Sequence, residues 1–157
     1  MTRLAVLVAT ACAAALAAPA AAGAMIQIDR GIAGARLDNT RAEVRAALGR
    51  PSSRRSGENK FGRFVEWRFR GGIRVLFQGG ERVTNVATTG FGDRTRRGVG
   101  VGSTERAVRR RVAGVRCRSF GDVRSCHTGD FEAGDRITDF LIRGGRVTRV
   151  TVGFVID

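Results

Sequence analysis

The chain repeats itself at an interval of 64 residues, since Thr104 stands 64 positions after Thr40. "NTRAEVRAALG", from Asn39 to Gly49, returns as "STERAVRRRVAG", from Ser103 to Gly114. The same interval carries Leu37 to Val101, Val44 to Val108, Arg45 to Arg109 and Leu48 to Val112. It continues past this stretch, taking Ile73 to Ile137, Arg82-Val83-Thr84 to Arg146-Val147-Thr148 and Val86 to Val150. Self-similarity at a fixed period means that one supersecondary unit is used more than once, because a single copy cannot bury its apolar face alone. Residues 31–92 and 95–155 are therefore read as two copies of one unit.

Each copy opens with a helix. Asn39 and Ser103 are N-cap residue types, whose side-chain oxygens satisfy a backbone N–H one turn in. Leu37, Val44 and Leu48, with Ala47 beside them, line one face of the first helix. Val101, Val108 and Val112 line the second, and arginines cover the remainder. Such a stripe suits a helix laid on a sheet. Gly49 with Pro51, and Gly114, end the two helices.

Strands follow. In "FVEWRFRGGIRVLF", Val65, Trp67 and Phe69 alternate with polar residues, and so do Ile73, Val75 and Phe77, the period of a half-buried strand. A two-residue loop at Gly71-Gly72 would set the two apolar faces opposed. A three-residue loop, Arg70 to Gly72, pairs Trp67 with Val75 and Val65 with Phe77, so the three-residue register is expected. "RVTNVATT" supplies a third strand, and "ITDFLI", Gly144-Gly145 and "RVTRVTV" close the second copy in the same way. In "CRSFGDVRSC", a turn at Gly121-Asp122 places Cys117 opposite Cys126, close enough for a disulfide. The C-x8-C spacing lacks the redox-active form, so the bond is read as structural. Together these features predict an α+β fold: two tandem helix plus antiparallel β-meander repeats forming one sheet, with the helices packed on one face.

Residues 1–24 have the parts of a secretory signal peptide: Arg3, an apolar run from Leu4, and small residues before a cut after Ala24 or Ala22. An uncleaved anchor and a lipoprotein cleaved before Cys12 are the competing readings. The remainder, residues 25–157, is long enough for a single domain. With Cys12 in the leader, Cys117 and Cys126 form an even pair suited to an oxidising compartment, so a secreted or extracytoplasmic envelope location is expected.

The formal net charge is +14, spread over both copies. Such a field draws anionic partners. In the expected hairpin Arg68 lies across from Arg74 on the polar face, an arrangement that costs stability unless Glu66 or an anion compensates. Arg109 and Arg110 are exposed by the second helix. These four arginines are the candidate binding residues. With His127 the only histidine, no zinc set or Cys-His pair can be assembled. Asp130, Glu132, Asp135 and Asp139 lack calcium-loop spacing and read as a solvated loop. "GVGVGST" lacks the lysine and spacing of a phosphate loop. No catalytic residues, metal ligands or cofactor are assigned.

The pattern T-x-x-x-V-x-x-x-[LV]-G, a Trp or Phe strand, and F-x-G-G-x-x-V-x-x-V resembles the SmpA/OmlA, or BamE-like, repeat. That unit occurs singly in the small lipoprotein of the outer-membrane barrel-assembly machinery and in tandem in β-lactamase inhibitory protein-like folds. The resemblance covers nearly the whole chain after the leader and implies a cofactor-free protein that binds other macromolecules through an open sheet face. The tyrosine- and tryptophan-rich face of the inhibitor does not transfer, because the chain has no tyrosine and Trp67 falls on the apolar side. The expectation is a secreted, non-enzymatic binding module that presents an arginine-bearing sheet face to a protein or anionic envelope polymer. The alternatives are an envelope scaffold lipoprotein and an inhibitor of an extracellular enzyme. Contact with a membrane would require lipidation at Cys12, and nucleic acid is disfavoured because repeated surface aromatics for base stacking are missing.

Overall fold

A computed structural model describes residues 23–156; the expected leader, with Cys12, lies outside them apart from its last two residues. The chain begins with three short strands, β1 (Met25–Gln27), β2 (Gly31–Ile32) and β3 (Ala35–Arg36), followed by helix α1 (Arg41–Leu48). A four-stranded meander comes next: β4 (Ser53–Asn59), β5 (Gly62–Arg68), β6 (Ile73–Gln78) and β7 (Asn85–Thr88). After β8 (Arg94–Thr95) and helix α2 (Glu105–Arg111), a second meander runs through β9 (Arg116–Phe120), β10 (Val123–His127), β11 (Arg136–Arg143) and β12 (Arg146–Phe154).

The expected α+β fold, with helices covering a single sheet, is overturned. The protein is mostly β, with two helices of only 8 and 7 residues among the described residues and two sheets in place of one. The larger is antiparallel, in the order β4-β5-β6-β7-β12-β11-β10-β9. The smaller has the order β3-β2-β1-β8, and β1 pairs with β8 in parallel. The physical reason lies in the short pieces. Strands of two or three residues show no alternation, and their pairing is fixed by non-local contacts: Ile26, Ile32 and Ala35 are buried in the shared core. β4 was hidden for the opposite reason. "SRRSGEN" has no apolar residue and every position is exposed, so only its ladder to β5 marks it as a strand.

Several local expectations are met. Trp67 pairs with Val75 and Val65 with Phe77. The connection is Arg70–Gly72, with Gly71 and Gly72 at φ 77° and 85°, a backbone region open to glycine. Cys126 pairs with Cys117 across the Gly121-Asp122 turn, and the two are disulfide-bonded.

The helix caps lie one residue later than the sequence suggested. Thr40 and Thr104 are the N-caps, accepting from Glu43 N at 3.3 Å and Ala107 N at 3.2 Å. Asn39 and Ser103 instead tie down the preceding turn, accepting from Arg36 N at 2.8 Å and Gly100 N at 3.1 Å. Only α1 has a full capping box, because Glu43 accepts from Thr40 N at 2.7 Å whereas α2 has Ala107 at the equivalent position. Gly49 caps α1, but α2 ends at Val112, before Gly114.

The sequence interval is also present in the hydrogen bonds. Arg82 donates to Asp38 O and Arg146 to Gly102 O, each at 2.9 Å. Val83 N donates to Asn39 O and Val147 N to Ser103 O. The two meanders meet at β7 and β12, where Val86 faces Val152 and Thr88 faces Val150.

The core lies on one face of the large sheet. Val44 of α1 and Val108 of α2 are its equivalent helical anchors, both fully buried; burying a valine contributes on the order of 1.5–3 kcal/mol. Trp67 and Phe77 meet edge to face at 5.0 Å, and the Arg41 and Arg45 guanidinia of α1 lie over them at 5.3 and 5.2 Å. With the helices and the small sheet on this side, no described element covers the opposite face of the large sheet.

Candidate site on the open sheet face

Period-two alternation fixes which side chains reach the open face. Following the ladders sideways from β4 to β9, one transverse row reads Ser53, Arg68, Arg74, Ala87, Thr151, Asp139, His127 and Arg116. The adjacent row includes Arg149, Leu141, Ser125 and Arg118.

Two shallow depressions lie along these rows. The larger, about 640 Å³, has an apolar rim of Phe120, Val123, Phe131, Ile137 and Leu141 around Asp139, Ser125 and Thr151, with Arg118 and Arg149 at its sides. The smaller, about 240 Å³, is formed by Glu66, Arg74, Leu76, Asn85 and Ala87, and it shares Arg149 and Thr151 with the first. They form a continuous groove.

Three of the rim residues are exposed although they are apolar. Phe120 is 55%, Val123 46% and Phe131 39% exposed, and all three border one depression. Single exposed apolar residues are ordinary, but a contiguous group marks a contact surface. Phe131 is also held against its backbone preference, at φ 63°, in the left-handed region that bulky side chains avoid. Its ring packs edge-on against His127 at 4.2 Å and Phe120 at 6.4 Å. His127 beneath it is fully buried; Nδ1 lies 3.2 Å from Thr128 O, and Nε2 has no partner among the described residues.

Asp139 gives the floor its chemistry. Burial pushes its carboxyl above the ordinary value of 3.8, while Ser125 and the nearby His127 and Arg149 act in the opposite direction. Among the described residues, its Oδ1 is buried without a hydrogen-bond partner. Such an atom is costly in a folded protein and is met by a donor when a ligand supplies one.

The four arginines singled out from sequence divide between two sides. Arg68 and Arg74 face each other on the open side, but Arg68 Nε donates to Glu66 Oε1 at 2.6 Å, which supplies the compensation the pair requires. Arg74 has no ion pair among the described residues and lines the smaller depression. Arg109 and Arg110 are on α2, on the core side. Arg109 is paired with Glu105 at 2.9 Å, and Arg124 joins the same carboxylate at 2.6 Å. The acidic group read as a solvated loop also divides: Asp130 pairs with Arg116, whereas Asp139 is a strand residue in the groove. Glu105 lies near Cys117 and Cys126, but sulfurs bonded to each other lack the thiolate charge that holds a metal.

No protein-family model matches the sequence, and no curated protein is significantly similar to it. Among solved structures, the fold is similar to that of an extracellular protein containing an SCP domain from Bacillus anthracis. The TM-score is 0.51 at 10% identity, over 75% of this chain and 44% of that one. This chain therefore spans less than half of that protein, and the likeness concerns the fold. A DUF4309 family protein, YjgB, from Bacillus subtilis aligns with a TM-score of 0.48 at 18% identity, over 77% of this chain and 82% of that one. The disulfide fits an extracytoplasmic location.

Proposed function

We propose that the protein is a secreted, non-enzymatic binding module that takes a protein partner on the open face of its eight-stranded sheet. The observation that carries this reading is the exposed group Phe120, Val123 and Phe131 beside the guanidinia of Arg118 and Arg149. Aromatic anchors with arginine at the edge are the composition of protein interfaces, where a few such residues dominate affinity. An anionic polymer would need the charge but not the aromatic corner. Arg74 and Arg149 extend the same surface and favour a partner with carboxylates along its contact. The duplicated hydrogen bonds of the two halves support descent from one repeated unit, in keeping with the SmpA/OmlA resemblance.

The test is capture from an envelope and culture-medium extract of the producing cell, with retained material washed at low and then high salt. The wild-type protein should hold one protein partner through the high-salt wash. Phe120→Ser with Phe131→Ser should weaken that binding by at least about tenfold, and Arg74→Ser with Arg149→Ser should chiefly slow association and flatten its salt dependence. Undiminished capture by the aromatic variant would overturn the reading. Retention of a polymer alone, lost with salt, would overturn it too.

A further inference from the structure

A second cavity lies away from the open face, where the described chain begins. Strand β1 forms its floor with Met25 and Ile26, and Ile28, Val112 and Ala113 add apolar wall. Four arginines ring it: Arg30, Arg96, Arg97 and Arg111. They arrive from three separate places. Arg30 closes the turn after β1, with its N–H donating to Gln27 O at 3.1 Å. Arg96 and Arg97 form the tip of the turn closed by Gly98 N to Thr95 O at 2.8 Å. Arg111 is the last residue of α2.

Among the described residues, no acidic side chain lines this cavity. The nearest acid in sequence, Asp29, is engaged elsewhere, accepting from Thr128 and Thr138 hydroxyls. Among the described residues, none of the four guanidinia has a salt bridge or hydrogen bond. Four like charges around an apolar hollow repel one another unless an anion sits between them. The cavity volume is about 660 Å³, within the roughly 300–1,000 Å³ of small-molecule sites.

We infer that this cavity binds a single-chain anionic amphiphile, its alkyl chain against Ile26, Ile28, Val112 and Ala113 and its carboxylate or phosphate among Arg30, Arg96, Arg97 and Arg111. Guanidinium suits such head groups because its planar fork donates two parallel bonds. The hollow form of the site favours a free molecule that inserts over a bilayer surface, which would call for protruding apolar side chains.

Titration calorimetry of the purified protein with dodecanoate below its micelle concentration tests the inference. Dodecanoate should bind saturably at about one per chain, whereas dodecyltrimethylammonium and acetate should not. Arg96→Gln with Arg97→Gln should weaken binding at least about tenfold, and Ala113→Glu, an exposed position at the rim, should do the same by repulsion. Phe131→Ser should leave it unchanged, which separates this site from the open face. Absence of dodecanoate binding, equal binding of the cationic amphiphile, indifference to the Arg96 and Arg97 changes, or binding seen only with anionic lipid vesicles would each overturn it.

Discussion

Asp139 stands between Ile137 and Leu141 on one face of a strand, an acid in an apolar row. Burial raises its carboxyl above the ordinary value of 3.8, so the folded state holds the proton more firmly than the unfolded chain. The stability linked to this proton is fully present below the ordinary value and is lost as pH rises through the raised one. Asp139→Asn should therefore stabilise the protein more at pH 7 than at pH 3, as read from urea midpoints of both proteins at the two values. Equal effects at both would show that the carboxyl is not desolvated. The alternation Ile137, Asp139, Leu141 is visible in the sequence. Its meaning is not, because the acids just before it, Asp130, Glu132 and Asp135, suggest a solvated loop, and only the ladder to β10 brings His127 and Ser125 beside the carboxyl. Phe131 is less visible still: nothing in its neighbours in sequence indicates a left-handed backbone or a histidine beneath its ring.

The capped helices and the disulfide hairpin show what local chemistry contributes. Thr40→Ala and Thr104→Ala each remove a side-chain acceptor from a helix start and should destabilise by about 1 kcal/mol in chemical denaturation. Thr40→Ala should have the larger effect, because Glu43 then loses the hydroxyl half of its reciprocal box. Replacing Cys117 and Cys126 together by Ala should cost up to about 3 kcal/mol, chiefly through the freer unfolded chain, and a denaturation midpoint unchanged from wild type would contradict this. The hairpins could be read before the structure because the apolar period and the turn residues agree on one register, as with Trp67 opposite Val75. The helix caps could be read only to within one residue, since Asn39-Thr40 and Ser103-Thr104 offer two capping types side by side. β4 and the pairing of β1 with β8 could not be read. Exposed polar strands and two-residue strands take their conformation from neighbours distant in the chain, which local propensity does not record.

Across the whole chain, the two meanders join through β7 and β12 to give one sheet with a covered face and an open one. The covered face uses the apolar positions that recur along the sequence, so the core was largely foreseeable. The aromatic corner of the open face departs from the repeat: 64 residues before Phe120 stands Ser56, and before Phe131, an exposed loop residue, stands Trp67, a buried strand residue of the covered face. A site that departs from the repeat gives a repeat-based reading little signal, and the arginines that did stand out proved to be divided between the two sides. The most direct test of partner binding on this face is site-specific photo-cross-linking in the envelope and medium extract. A photoreactive residue would replace Thr151, at the junction of the two depressions, or Arg110, on the exposed side of α2. The account predicts a discrete protein adduct from position 151 and none from position 110. An adduct formed only from position 110, or from neither, would contradict it.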